Sequence, residues 1–220
     1  MAEFPDPDSR NVLEPDCSRC PALVESRESI AWGNGSLDAD VLVVGEAPAS
    51  GTPDAERWRG GNWTGMAYTS RHSGRTVRDL FADAGLASED CYFTNAVKCF
   101  PAEDHGGDDG ESDEIPTNRE PTADERANCR DHLRTEIRQV EPAVVATTGR
   151  HATLSLLGDL PGGFLDSVLE PVESEAFDAT VLPLLHPSYQ NVWLPRLGYS
   201  REEYVAEIGA VVGERRERDG

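Results

Sequence analysis

The sequence predicts an α/β fold in which a parallel sheet is covered on both faces. Short, continuous, β-branched apolar runs alternate with stretches of helical periodicity, and capping signals stand between them. Asp40 to Val44 is the first such run and ends at Gly45. Ser73 to Leu86 follows, with Val77, Leu80, Phe81 and Ala84 at helical spacing and an expected end near Gly85. Cys91 to Val97 reads as the second strand. Pro121, Thr122 and Glu125 then give a capping box for a helix reaching about Val140. Ala143 to Thr148 is a third strand, His151 to Leu157 a helix, and Thr180 to Leu185 a fourth strand. Ser200 and Glu203 repeat the capping-box spacing before a final helix.

A chain of 220 residues, 38% hydrophobic, can bury one sizeable core, so one domain spanning residues 1–220 is expected. Residues 1–16, rich in Pro, Asp and Glu, read as an N-terminal arm. Residues 102–117 are acidic, glycine-rich and nearly without apolar side chains, which reads as a solvated loop insertion.

The formal net charge is −21, with 41 acidic residues against 20 basic ones, of which Lys98 is the one lysine. The acidity runs along the whole chain rather than forming a tail, which points to a salt-adapted cytoplasm. In ordinary salt such a surface repels phosphate, but a Debye length of about 3 Å near 1 M salt screens that repulsion, so a DNA partner is not excluded. Met1 to Asn11 has neither a basic nor an apolar leader pattern, and no apolar run is long enough to span a bilayer. A cytoplasmic monomer without membrane contact is expected.

Five cysteines in a reducing compartment make disulfides an unfavoured reading. Cys17 and Cys20 form a Cys-x-x-Cys, and with Cys99 and Cys129 they offer four thiolates. Ligand count alone leaves zinc, an iron–sulfur cluster and plain packing all open. Cys91 opens a strand and reads as packed. In a parallel sheet, ligands gather at the carboxyl ends of the strands. Those ends carry Gly45-Glu46-Ala47-Pro48, Asn95 before Lys98 and Cys99, and His186-Pro187-Ser188.

Taken in order, the motifs are Cys17-x-x-Cys20, Gly45-Glu46-Ala47-Pro48, Gly65-x-x-Tyr68 with Ser73-Gly74, and Asn95-x-x-Lys98-Cys99-x-Pro101. Asn118-Arg119-x-Pro121-Thr122-x-x-Glu125 leading to Cys129 and His186-Pro187-Ser188 complete the set. Together they resemble the iron–sulfur uracil-DNA glycosylases, usually called families four and five, with features of both. The resemblance implies a three-layer α/β/α uracil-DNA glycosylase fold around a four-stranded parallel sheet. It also implies a structural [4Fe-4S] cluster on Cys17, Cys20, Cys99 and Cys129, and uracil-containing DNA as the partner. Two features depart from the pattern: the stretch between Cys99 and Asn118 is longer than expected, and Ala49 to Thr52 lacks the acid that family four carries beyond its first motif.

The chemistry asks for hydrogen-bond donors facing a base that leaves as an anion, and for a carboxylate near a cationic sugar. The resemblance assigns His186 to uracil O2 and Asn95 to the Watson–Crick edge, where it accepts from N3–H and donates to O4. Tyr68 would stack on the flipped base. Ala47 would approach the base through its backbone, Ser188 would touch phosphate, and Tyr189 or Gln190 would fill the vacated stack. Glu46 is the carboxylate nearest the motif and would orient water or stabilise the sugar, with Asp54 and Glu56 as poorer choices. Arg71, Arg75 and Arg78 would either contact phosphate or stand solvated. The expected activity is monofunctional excision of uracil. The alternatives are a glycosylase for hypoxanthine or another deaminated base, a non-catalytic iron–sulfur damage sensor, and a zinc protein unrelated to DNA.

Overall fold

Along Val41–Val44 successive side chains point to opposite faces of the sheet, and both faces are buried. That requires a layer of helices on each side. The computed structural model describes residues 2–103 and 117–219. In chain order the elements are β1 (Arg10–Asn11), α1 (Pro21–Ser26), β2 (Gly33–Gly35), β3 (Val41–Gly45), α2 (Gly61–Thr64), α3 (Ser73–Asp83) and β4 (Cys91–Asn95). They continue with α4 (Ala123–Val140), β5 (Val144–Thr148), α5 (Arg150–Leu157), β6 (Val172–Ser174), β7 (Ala179–Leu184), α6 (Gln190–Leu197) and α7 (Arg201–Asp219).

The sheet order is β1-β2-β4-β3-β5-β7-β6. The four strands read from the sequence form its parallel centre, β4-β3-β5-β7. The short strands β1, β2 and β6 extend it with antiparallel pairs, so the sheet is mixed at its edges. They escape a pattern-based reading because two or three residues such as Gly33-Asn34-Gly35 carry no period. Residues of the N-terminal arm belong to this edge: Asn11 Nδ2 donates to Tyr92 Oη at 3.0 Å and to Gln139 Oε1 at 2.8 Å. The expected insertion at 102–117 lies outside the described residues except at its ends, where Glu103 N–H donates to the Thr117 carbonyl and Ala102 pairs with Asn118.

Val41, Val43, Phe93, Val144, Ala146 and Leu182 face α3 and α7 through Val77, Leu80, Phe81, Tyr204 and Ile208. Leu42, Val44, Tyr92, Val145 and Val181 face α4 and α5 through Leu133, Ile137 and Leu156. Cys91 packs in the first of these layers. The two capping boxes form as the sequence indicates. Thr122 Oγ1 accepts from Glu125 N–H at 3.2 Å while Glu125 Oε2 accepts from Thr122 N–H at 2.8 Å, and Ser200 and Glu203 reciprocate in the same way ahead of α7. Among the described residues no helix is long and apolar enough to cross a membrane.

A third buried cluster lies beyond the edge of the parallel centre, with Leu23, Ile30, Trp32 and Val97 around Cys17, Cys99 and Cys129. Between it and the sheet sits a buried ion pair. Lys98 and Glu136 are 1% and 0% exposed and their charged atoms are 2.5 Å apart. The lysine's other two donors reach Thr94 Oγ1 at 2.7 Å and the Asn95 carbonyl at 2.6 Å. Glu136 also accepts from Thr94 Oγ1 at 2.8 Å, Tyr92 Oη at 3.2 Å and Gly33 N–H at 3.2 Å. Removing one partner leaves the other charge buried and unpaired. Glu136→Ala is therefore expected to lower stability by about 3–5 kcal/mol, read as a fall in the urea unfolding midpoint.

Candidate functional site

The parallel register aligns Gly45 with Asn95, and Thr148 with Leu184, so the loops after β3, β4, β5 and β7 open at the same end of the sheet. A cavity of about 890 Å³ lies there. Glu46, Ala47, Tyr68, Asn95, His186 and Ser188, brought from four separate segments, all line it. Asp54 and Glu56 do not line it and are exposed.

Asn95 closes β4 and is 4% exposed, and its Nδ2 has no hydrogen-bond partner in the protein. A buried amide donor without a partner costs about 1–3 kcal/mol, so it marks a place for a ligand acceptor. Its position depends on Gly45, where an added Cβ would lie 2.4 Å from Asn95 Oδ1 and 2.8 Å from Tyr68 Oη. Tyr68 has a left-handed backbone, φ 54°, and its hydroxyl meets Thr148 Oγ1 at 2.6 Å. Burial raises the phenol's pKa, so it stays neutral. The ring stands edge-on to Phe93 with centroids 5.7 Å apart. Gly74 lets α3 approach this backbone, since a Cβ there would lie 2.6 Å from the Tyr68 carbonyl.

His186 precedes a short 3-10 turn at Pro187–Tyr189, and its Nδ1 accepts from Ser188 N–H at 3.3 Å. The proton of the neutral ring therefore sits on Nε2, which leaves a donor. Burial pushes the imidazole pKa below its ordinary value, which keeps it neutral. Ser188 is exposed at the mouth, and Tyr189 stands out at 59% exposure. Gln190, the other residue expected to fill the stack, is instead buried, whereas Tyr189 and Val192 are exposed.

Glu46 is half-buried, and burial raises its pKa above 4.5; His151 lowers it, Glu120 raises it and Arg126 lowers it. Glu120 and His151 line the same cavity, as do Thr148, Gly149 and Trp193. The sequence reading missed these residues. Gly149, directly after a strand, was the available signal, while Glu120 and His151 carry no periodic or motif signature.

Arg78 is structural rather than a phosphate contact or a solvated residue. Its guanidinium lies 4.0 Å from the Phe93 ring centroid, Nε donates to the Tyr68 carbonyl at 3.0 Å, and Nη2 donates to Asn34 Oδ1 at 2.6 Å. Burial brings its pKa down to about 10. Arg71 is exposed, and the Arg75 guanidinium stacks over Trp58 at 5.5 Å.

The four expected cysteine ligands fall in one region. Cys17, Cys99 and Cys129 are buried in the same cluster with Cys20 packed against it. Burial raises the Cys99 thiol pKa, Arg27 lowers it, and the charges of Cys17 and Cys20 raise it further. Burial pushes Cys129 up to about 11, opposed by Lys98 and reinforced by Cys99 and Cys20. Arg27 Nη1 donates to Cys99 Sγ at 3.1 Å and Asn128 Nδ2 to Cys20 Sγ at 3.4 Å. Such donors suit sulfur that carries negative charge.

Among the described residues, the one group of three or more possible ligand atoms within 4.8 Å of one another is Glu14, Cys17 and His132. Any three of the four cysteine sulfurs are thus spread wider than the edge of about 3.8 Å that a tetrahedral zinc site would set. His132 is buried, its Nε2 unpaired and 3.6 Å from Glu14 Oε2.

The chain is also similar in sequence to known proteins. The family model described as "Uracil DNA glycosylase superfamily" matches residues 32–209. A type-5 uracil-DNA glycosylase of Pyrobaculum aerophilum is 32% identical over 213 residues, covering 83% of this chain and 82% of the relative. A type-4 uracil-DNA glycosylase of Thermotoga maritima is 30% identical over 173 residues, covering 79% and 77%. The type-4 enzyme of Archaeoglobus fulgidus is 28% identical over 207 residues, covering 90% and 89%.

The contact at Gly45 gives a direct test of the pocket's packing. Gly45→Ala is expected to displace Asn95 or Tyr68 and lower stability by about 1–3 kcal/mol, read by thermal unfolding.

Proposed function

We propose that this chain, which belongs to the uracil-DNA glycosylase superfamily, excises uracil from DNA by hydrolysing the bond between base and sugar. The observation that carries this is the orphaned Asn95 amide, buried in a cavity that a neutral histidine also lines. Uracil offers N3–H to Asn95 Oδ1 and O4 to Asn95 Nδ2. Cytosine offers an acceptor and an amino group there and leaves both Asn95 atoms mismatched.

The target nucleotide must leave the duplex stack, which costs a few kcal/mol. Tyr68 supplies an aromatic face for the extruded base, and its ring is held by Thr148 and Phe93. Tyr189 fills the gap in the stack, and Ser188 contacts phosphate. As the glycosidic bond breaks, negative charge grows on the uracil ring. His186 Nε2–H donates to O2 and stabilises it without first losing a proton. Glu46 balances the positive charge growing on the sugar, and Ala47 borders the base through its backbone. No Schiff-base step accompanies the excision, because the chain's one lysine, Lys98, is buried in its ion pair.

Cys17, Cys20, Cys99 and Cys129 would hold a [4Fe-4S] cluster. The spread of the sulfurs supports this over one zinc ion, and the donors aimed at two of them suit bound thiolates. When bound, the cluster serves as a cross-link between the N-terminal segment, the loop after β4, and α4. Cys17 also belongs to the Glu14–Cys17–His132 group, so the two occupancies compete for one thiol.

A second reading concerns the base. Hypoxanthine shows N1–H beside O6, the same order of donor and acceptor, and a cavity of about 890 Å³ admits a purine. An oligonucleotide carrying one uracil, tested in multimolar salt beside hypoxanthine, cytosine and thymine, separates the two. Uracil release is expected. Asn95→Ala and His186→Ala are each expected to lower it by at least about 100-fold. Hypoxanthine release alone would move the specificity, and DNA binding without any release would make the chain a damage sensor.

Glu46 must be ionised to act, and burial holds its pKa above 4.5. Release should therefore fall on acidification, with the descent displaced upward from that of an ordinary glutamate, and Glu46→Gln should remove the part of it that belongs to Glu46. Metal analysis of the purified chain is expected to find iron and labile sulfide. Cys129→Ser should lose the iron, whereas Cys91→Ala, altered in the core rather than among the proposed ligands, should keep it.

A further inference from the structure

The first motif lacks the second acid expected after Pro48, so the excision reading leaves open which group receives the proton of the attacking water. The cavity contains a pair that no motif accounts for. His151, at the start of α5, has Nδ1 2.8 Å from Oε1 of Glu120, which stands in the segment leading to α4. Both residues line the cavity shared with Glu46. Arg126 Nη1 donates to the same Glu120 oxygen at 3.3 Å.

In the neutral ring, a carboxylate this close to Nδ1 favours the proton on that nitrogen and so the lone pair on Nε2. Among the described residues nothing hydrogen-bonds Nε2. Glu46 also interacts electrostatically with His151 and Glu120, so all three groups act on one region of the cavity. His186 cannot take this role, because its Nδ1 is engaged by Ser188 N–H and its Nε2 already carries a proton.

We propose that His151 is the catalytic residue that accepts the proton of the attacking water, with Glu120 as the positioning residue that fixes its tautomer; this rests on the excision reading above. The C1′–N1 bond breaks and its electron pair leaves on uracil, spreading toward O2 and the His186 donor. The water oxygen bonds to C1′ while one of its protons passes to His151 Nε2. The imidazolium so formed lies within the field of the Glu120 and Glu46 carboxylates, and it then returns its proton to the released uracil anion. Glu46 keeps its place beside the cationic sugar. The carboxylate missing from the first motif is thus replaced by a carboxylate–imidazole pair that interacts with Glu46.

The test uses the full chain in multimolar salt. Single-turnover uracil release is measured beside affinity for an oligonucleotide carrying 2′-fluorinated deoxyuridine, which is bound but not cut. His151→Ala is expected to slow release by about 10²–10⁴-fold with affinity for the uncut analogue unchanged. His151→Gln, which keeps the polarity of the site, should be equally slow. Added imidazole should restore part of the His151→Ala rate. Glu120→Gln should lose less than His151→Ala, and Glu120→Asp should recover part of that loss.

A wild-type release rate in His151→Ala would overturn this inference while leaving uracil excision intact. So would a loss that appears wholly as weakened binding and is not rescued by imidazole, which would make His151 a phosphate contact. A wild-type chain that binds the DNA and releases no uracil would overturn the excision reading, and this inference with it.

Discussion

The ammonium of Lys98 lies inside the protein with each of its three donors matched: to Glu136, to Thr94 and to the carbonyl of Asn95. Desolvating a lysine and a glutamate costs several kcal/mol for each ion, and the pair persists only because its geometry answers every donor and acceptor. The partners come from β2, β4, the loop after β4, and α4. They hold in register the strand that ends in Asn95 and the segment that carries Cys99 immediately after Lys98. Glu136 sits seven positions, about two helical turns, beyond Cys129 on α4. One buried charge pair thus ties Asn95 to the segments that carry Cys99 and Cys129.

This arrangement explains why residues far apart in sequence behave as one unit. The Asn95 carbonyl is fixed by Lys98, and its side chain is confined between Gly45 and the cavity. On the other side of Gly45, the Tyr68 hydroxyl is bound to Thr148 at the end of β5. Arg78 supports Tyr68 from outside the cavity, donating to its carbonyl while lying over the Phe93 ring. The walls of the pocket are therefore tied to one another and to the sheet, while the Asn95 amide donor is left without a partner in the protein.

The extreme acidity stands apart from this machinery. Charges such as Asp124, Asp131 and Glu141 are exposed, whereas Glu46 in the cavity is half-buried and Glu136 in the Lys98 ion pair is buried. Salt therefore screens the surface far more than the site, which lets a chain of net charge −21 act on a polyanion when the ionic strength is high.

Much of this was legible in the linear sequence. Period and burial chemistry defined β3, β4, β5, β7 and the helices α3, α4, α5 and α7, because long elements with a strong apolar pattern repeat their signal many times. The ordered motifs singled out Glu46, Tyr68, Asn95, His186 and the four cysteines, because backbone turns and ligand chemistry restrict residue type at those points. The short strands β1, β2 and β6, and α6 with its internal Pro195, gave no such repetition. Only the tertiary structure decided that Arg78 supports Tyr68, that Gln190 turns inward while Tyr189 turns out, and that Glu120 meets His151. These are contacts between residues distant in the chain or choices of side-chain direction, and neither leaves a periodic trace. Local pattern fixes which elements form, but pairwise geometry at the open end of the sheet exists only once those elements have packed.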